Sequence, residues 1–221
     1  FGDAIFLART PPVQGVAQAA FRQDDRDLLL WKNRLGQSFS AMLNSRSDYV
    51  QIRFIGVADS GRELVSVLRN TSGVTRIPSS RLQQKGGTEY FKSTLTLGPG
   101  QVYFSDIQLN REHGKVTIPH QPILRVATPV FSELDGDLLG WLMITVDCEK
   151  VIRRSQEKIS DRFPFYLANS EGDYLLQPDE DKRFGFDLGK RFRIQNEFPE
   201  LKPDIQSGKE FSSFLQLSDT N

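Results

Sequence analysis

Three features of the sequence predict an α+β fold: long N-terminal helices packed on an antiparallel sheet, followed by a second, smaller or truncated unit. Apolar residues recur at helical spacing over the first 44 positions, three strand-like runs succeed one another between residues 101 and 148, and strand and turn signals restart beyond a helix-forming stretch at 149–158. A length of 221 residues allows one large or two small domains, and 38% apolar against 25% charged residues suffices to bury a core. The expected division is a helical segment over 1–48, a first sheet domain over 49–158 and a second over 159–221. The 28 basic and 28 acidic residues cancel, so no electrostatic footprint points to nucleic acid or an anionic membrane surface.

The first stretch is helical by pattern, with a break at Thr10-Pro11-Pro12, where threonine before proline suits a helix start. Phe6, Leu7, Val13, Val16, Ala17, Ala20 and Phe21 recur at three- and four-residue steps. From about Asp25 a second helix carries Leu28, Trp31, Leu35, Phe39, Met42 and Leu43 as an apolar stripe, which needs a partner surface. Residues 49–58 and 63–69 flank Asp59-Ser60-Gly61-Arg62, turn chemistry that pairs them as an antiparallel hairpin. Val50, Ile52 and Phe54 share one face of its first strand. Tyr49, Gln51, Arg53, Ile55 and Val57 share the other, leaving Arg53 either among partly buried groups or exposed. A polar link over 70–87 leads to a short helix at 88–97, stopped by Gly98-Pro99-Gly100.

Residues 102–109, 123–131 and 138–146 are rich in β-branched, aromatic and aliphatic side chains and read as a meander. All five strands are expected in one sheet, with the helices against it. Asp135-Gly136 supplies a tight turn, whereas the loop at 110–121 is long and polar, the kind of segment that holds binding groups on a rigid scaffold. After 149–158, residues 163–168 and 174–177 form a hairpin about Asn169-Ser170-Glu171-Gly172-Asp173, with a helix expected at 196–206 and a strand at 209–217. These last ~60 residues hold too few strands to close a sheet of about five.

The run Pro122-Ile123-Leu124-Arg125-Val126-Ala127-Thr128-Pro129-Val130-Phe131, with Asp135-Gly136 and the residues through Asp147, resembles the end of the first domain of double Cache receptors. These are tandem PAS-like extracytoplasmic sensors of bacterial histidine kinases, diguanylate cyclases and chemoreceptors. Residues 166–190 resemble the opening hairpin of the second Cache domain, so the resemblance covers nearly the whole chain. It implies PAS-like sheets, the first membrane-distal and the second membrane-proximal and incomplete. It further implies a small-molecule sensing domain of a transmembrane signal-transduction receptor, with a sensor histidine kinase favoured. Such a domain is the periplasmic or extracellular portion of an inner-membrane protein, is membrane-anchored in the full-length receptor and forms a homodimer through its N-terminal helix. A ligand-free dimerisation or partner-protein module is the alternative. This segment itself is expected to be no enzyme, although a full-length receptor can carry a cytoplasmic kinase or cyclase domain. The start at Phe1 and the end within a strand-like run fit a piece of such a receptor.

Amino-acid-sensing members of that family carry Arg-x-Trp-Tyr on the short helix before the meander and an aspartate in the last strand. The corresponding places hold Thr88-Glu89-Tyr90-Phe91 and Thr145, so the arginine for a carboxylate and the aspartate for an ammonium are both missing. The resemblance therefore implies weak binding of free α-amino acids and a ligand with an anionic or hydroxyl-rich head, held by Arg53 or Arg125 with Tyr90 and Tyr103 as walls. Arg125 stands in an otherwise apolar or small strand, which requires that its head be paired or reach a cavity. An Arg125–Asp106 ion pair is the alternative, so the candidate site residues are Arg53, Tyr90, Tyr103, Asp106 and Arg125. His113 and His120, with Glu112 and Asp106 nearby, match no metal-ligand spacing, and neither metal nor cofactor is expected. No Gly-x-Ser-x-Gly, Walker or His-Glu-x-x-His motif occurs. The single cysteine, Cys148, follows strand residues and reads as a buried thiol.

Overall fold

The computed structural model describes residues 2–57, 60–112, 114–157 and 164–213. Three helices open the chain: α1 (Gly2–Ala8), α2 (Pro11–Phe21) and α3 (Asp25–Ser45). Thr10 separates the first two. Its extended backbone and the prolines at the start of α2 suit a helix N-terminus, where proline's missing N–H costs nothing. Asp24 caps α3 by accepting from the Asp27 amide at 3.1 Å.

The chain divides into two compact units, residues 1–110 with 118–151, and residues 111–117 with 152–221. In the first, α1 to α3 lie on one face of an antiparallel sheet of seven strands. These are β1 (Tyr49–Gly56), β2 (Arg62–Asn70), β3 (Gly73–Arg76), β4 (Tyr103–Phe104), β5 (Gln108–Leu109) and, after a β6–β7 pair outside this sheet, β8 (Pro122–Phe131) and β9 (Leu138–Asp147). Their order is β3-β2-β1-β9-β8-β4, with β5 also on β8. All five expected strands thus share one sheet. The stripe on α3 finds its partner surface there: Leu35, Phe39 and Leu43 pack with Val13, Val16 and Leu7 against Ile52, Phe54, Val67, Val126, Leu142 and Ile144.

Two differences from the sequence reading have local causes. Strand β3 lies in the stretch read as a polar link, because four residues with only Val74 strongly apolar give too little alternation to register. The strand expected at 102–109 is broken in two because Ser105 substitutes a side chain for a ladder bond: its amide donates to the Arg125 carbonyl, and its hydroxyl accepts from the Arg125 amide, both at 2.9 Å. The short helix expected at 88–97 is α4 (Glu89–Thr94).

The second unit takes in the hairpin of β6 (Arg111–Glu112) and β7 (Lys115–Val116), the later turns of α5 (Cys148–Glu157), and β10 (Leu167–Ala168) paired with β11 (Tyr174–Leu176). Asn169 closes the β10–β11 turn, its side-chain oxygen accepting from the Glu171 and Asp173 amides at 3.0 and 2.9 Å. Three short helices follow, α6 (Gly185–Leu188), α7 (Ile194–Glu197) and α8 (Lys202–Ser207). The helix expected at 196–206 is interrupted because Pro199 and Pro203 each lack the N–H that an unbroken ladder needs. Residues 209–213 are not strand, and the remainder of the strand expected there, 214–217, lies outside the described residues. So do Phe1, Ala58, Asp59, His113, Lys158 and Phe163, each of which entered an expected element or site.

Candidate functional site

The sheet of the first unit has a second buried face. Ile55, Ala127, Trp141 and Met143 form an apolar cluster there with Phe91, and Tyr90 and Tyr103 pack on it. Helix α4 covers this face and is fixed at both ends. At its start, the Lys85 amide donates to the Gly61 carbonyl at 2.7 Å, and a Cβ on Gly61 would lie 2.6 Å from the Gly86 nitrogen, so this approach requires glycine. At its end, the Trp141 indole donates to the Thr94 carbonyl at 3.1 Å while the Phe91 and Trp141 rings meet edge to face at 4.6 Å.

Cross-strand register sets polar residues in two adjacent rows on the same face. One row runs Ser66, Arg53, Met143, Ala127, Tyr103; the next contains Gln51, Thr145 and Arg125. Arg53 is 7% exposed, and Glu63 lies beside it, 3.0 Å from Nη1. Its Nη2 donates to Gln51 Oε1, and Gln51 Nε2 donates to Ser66 Oγ at 2.9 Å. The other Glu63 oxygen accepts from the Gln83 amide at 3.1 Å. Arg125 is also buried, its guanidinium 5.6 Å from the centre of the Tyr90 ring, within cation–π range. Three buried polar atoms here have no hydrogen-bond partner: Arg53 Nε, Tyr90 Oη and Thr145 Oγ1.

Of the residues read from sequence, Arg53, Tyr90, Tyr103 and Arg125 therefore belong to one face. Asp106 is exposed, in the kink between β4 and β5. Sequence reasoning passed over Glu63, Gln51 and Ser66, and treated Thr145 only as a missing aspartate. Glu63 carried one usable signal, a carboxylate beginning a strand whose partner holds an arginine among apolar groups.

A different surface feature lies on the helical side. A groove of about 330 Å³ is lined by Arg9, Gln14, Arg22, Asp27, Trp31 and Glu133. Its charged residues are exposed and it does not adjoin the arginine-bearing face, so we assign the site by buried polar chemistry rather than by concavity. Among the described residues no group of three or more His, Cys, Asp and Glu side chains could hold a metal ion. Cys148 is buried, and burial, followed by the neighbouring Asp147 charge, pushes its thiol up to about 11, far from a reactive thiolate.

Comparison with known proteins bears on this arrangement. Residues 24–211 match the family described as the bacterial histidine kinase sensor domain. A domain of a sensory box/GGDEF family protein from Vibrio parahaemolyticus superposes with a TM-score of 0.76 at 25% identity, covering 96% of this chain and 77% of that one. The extracellular domain of the histidine kinase vpHK1S-Z8 gives 0.73 at 24% identity, with 97% and 74% covered. The sensory domain of the Campylobacter jejuni chemoreceptor Tlp3, solved with isoleucine bound, shares the fold at a TM-score of 0.52 and 10% identity, with 91% and 78% covered. No curated protein sequence matches the chain significantly.

Proposed function

The chain belongs to the bacterial histidine kinase sensor domain family, and from that membership we propose that it senses a small molecule on the buried polar face beneath α4. One observation carries the reading. An apolar sheet face packs without help, yet this one leaves Arg53 Nε, Tyr90 Oη and Thr145 Oγ1 buried without partners, which is costly unless a ligand answers them. We read the domain as the extracytoplasmic part of a membrane receptor, with the first unit membrane-distal and the second membrane-proximal. No helix among the described residues is long and apolar enough to cross a membrane. Thermal-shift screening against a metabolite library tests the reading. A ligand at ~100 times its Kd stabilises by about 2.7 kcal/mol, and a screen without any shift would favour a ligand-free module.

The receptor acts as a homodimer in this reading. Phe6 on α1 and Leu29 on α3 are 65% and 64% exposed, and Leu30 and Phe21 are exposed as well, more apolar surface than helices in water need. Sedimentation at high concentration should show a dimer that Phe6→Ser with Leu29→Ser weakens; a strict monomer at every concentration would count against it.

A further inference from the structure

Taking the sensing face above as the binding site, we infer that its ligand is a small carboxylate without an ammonium group, and that the hydroxyls of Thr145 and Tyr90 help select it. The inference follows from which groups on this face are already engaged. Arg53 uses Nη1 on Glu63 and Nη2 on Gln51, which leaves Nε, a group that can only donate. Glu63 receives Arg53 on one oxygen and the Gln83 amide on the other, and the Gln51 side-chain oxygen receives Arg53. Each Glu63 oxygen therefore takes one hydrogen bond, and the carboxylate's charge is balanced by Arg53.

What remains is Arg53 Nε together with two hydroxyls, Tyr90 Oη and Thr145 Oγ1, all buried and all able to donate. Thr145 is 3% exposed and sits diagonally across the sheet from Arg53, opposite Gln51 and Arg125. A ligand suited to this set brings acceptors. A carboxylate brings two oxygens with about four lone-pair directions, enough for several donors at once, and its charge strengthens the bond from the guanidinium. An ammonium would instead bring a second positive charge and three more donors beside Arg53, whose guanidinium already neutralises the Glu63 carboxylate.

Paired ligands differing at one atom test this directly. Calorimetry on the whole domain with L-lactate against L-alanine, L-malate against L-aspartate and 2-hydroxyisocaproate against L-leucine should give tighter binding for the hydroxy acid in at least one pair and for the amino acid in none. Thr145→Val and Tyr90→Phe, which remove only a hydroxyl, should each weaken that binding about fivefold to tenfold and leave the melting temperature of the free domain within a few degrees. An amino acid that binds more tightly than its hydroxy partner, and is weakened by the same two substitutions, would overturn the ligand class while the sensing face stands. Binding insensitive to both substitutions would overturn the site. No heat from any of the six compounds would overturn the carboxylate assignment, and a metabolite screen without a shift would then remove the sensing reading too.

Discussion

Arg53 shows why single residues on the outer sheet face should be sensitive to substitution. Its guanidinium and the Glu63 carboxylate are 8% and 3% exposed, so removing one strands the other in a medium that solvates it poorly. Arg53→Ala should cost about 3–5 kcal/mol in urea unfolding, whereas Arg53→Met combined with Glu63→Leu should recover most of that loss. A cost below about 1 kcal/mol for the single change would show that water reaches the pair. Cys148 gives a chemical counterpart. With its thiol raised to about 11, iodoacetamide at neutral pH should label the folded domain far more slowly than the unfolded chain, and equal rates would contradict the burial. Alternation alone placed Arg53 with Ile55 on a half-buried face. Gln51, two residues back on the same strand, follows from that alternation; Glu63 was not legible, because it meets Arg53 through a register that a bulge between Phe54 and Ile55 shifts, and local sequence does not encode that shift.

At the scale of elements, helix periodicity and strand composition located α2, α3 and the two ten-residue strands β8 and β9, which are long enough for their patterns to outweigh noise. The short pieces escaped. Strand β3 is too short to show alternation, the β4–β5 break turns on the hydrogen bond to the Ser105 hydroxyl, and the β6–β7 hairpin contains Gly114 at φ +80°; none follows a hydrophobic period. Helix packing offers a test whose sign decides. Glycine to alanine inside an exposed helix usually stabilises by about 1 kcal/mol. Gly15 in α2 is different, because a Cβ there would lie 2.2 Å from the Trp31 ring of α3. Gly15→Ala should therefore destabilise by about 1–3 kcal/mol, and Trp31→Ala in the same chain should cancel most of that effect in a double-mutant cycle. A stabilised single variant would mean that the ring moves aside freely.

For the whole molecule, the two compact units should respond differently to acid. In the second, Asp173 is buried; burial by itself would raise its carboxyl, but hydrogen bonding and charge from Arg191, with Arg193, outweigh it and hold the group below its usual range. A depressed carboxyl stabilises the fold above its unfolded value of about 3.9, and that contribution is lost as pH falls through the lower folded value. Both tryptophans, Trp31 and Trp141, belong to the first unit. Acid titration should thus show far-ultraviolet circular dichroism changing before tryptophan fluorescence, and Asp173→Asn should remove the early phase; coincident transitions would mean one cooperative block. A last consequence concerns strand β9. It carries Trp141, Met143 and Thr145 on the face beneath α4 and Leu142 and Ile144 toward the helices, and it passes from Asp147 into Cys148, the first residue of α5, without an intervening loop. A loop at that junction would act as slack and absorb a small displacement. Joined directly, strand and helix would work like a pushrod in the proposed sensing reading: a small stroke beside Thr145 would meet no loop before the first turn of α5.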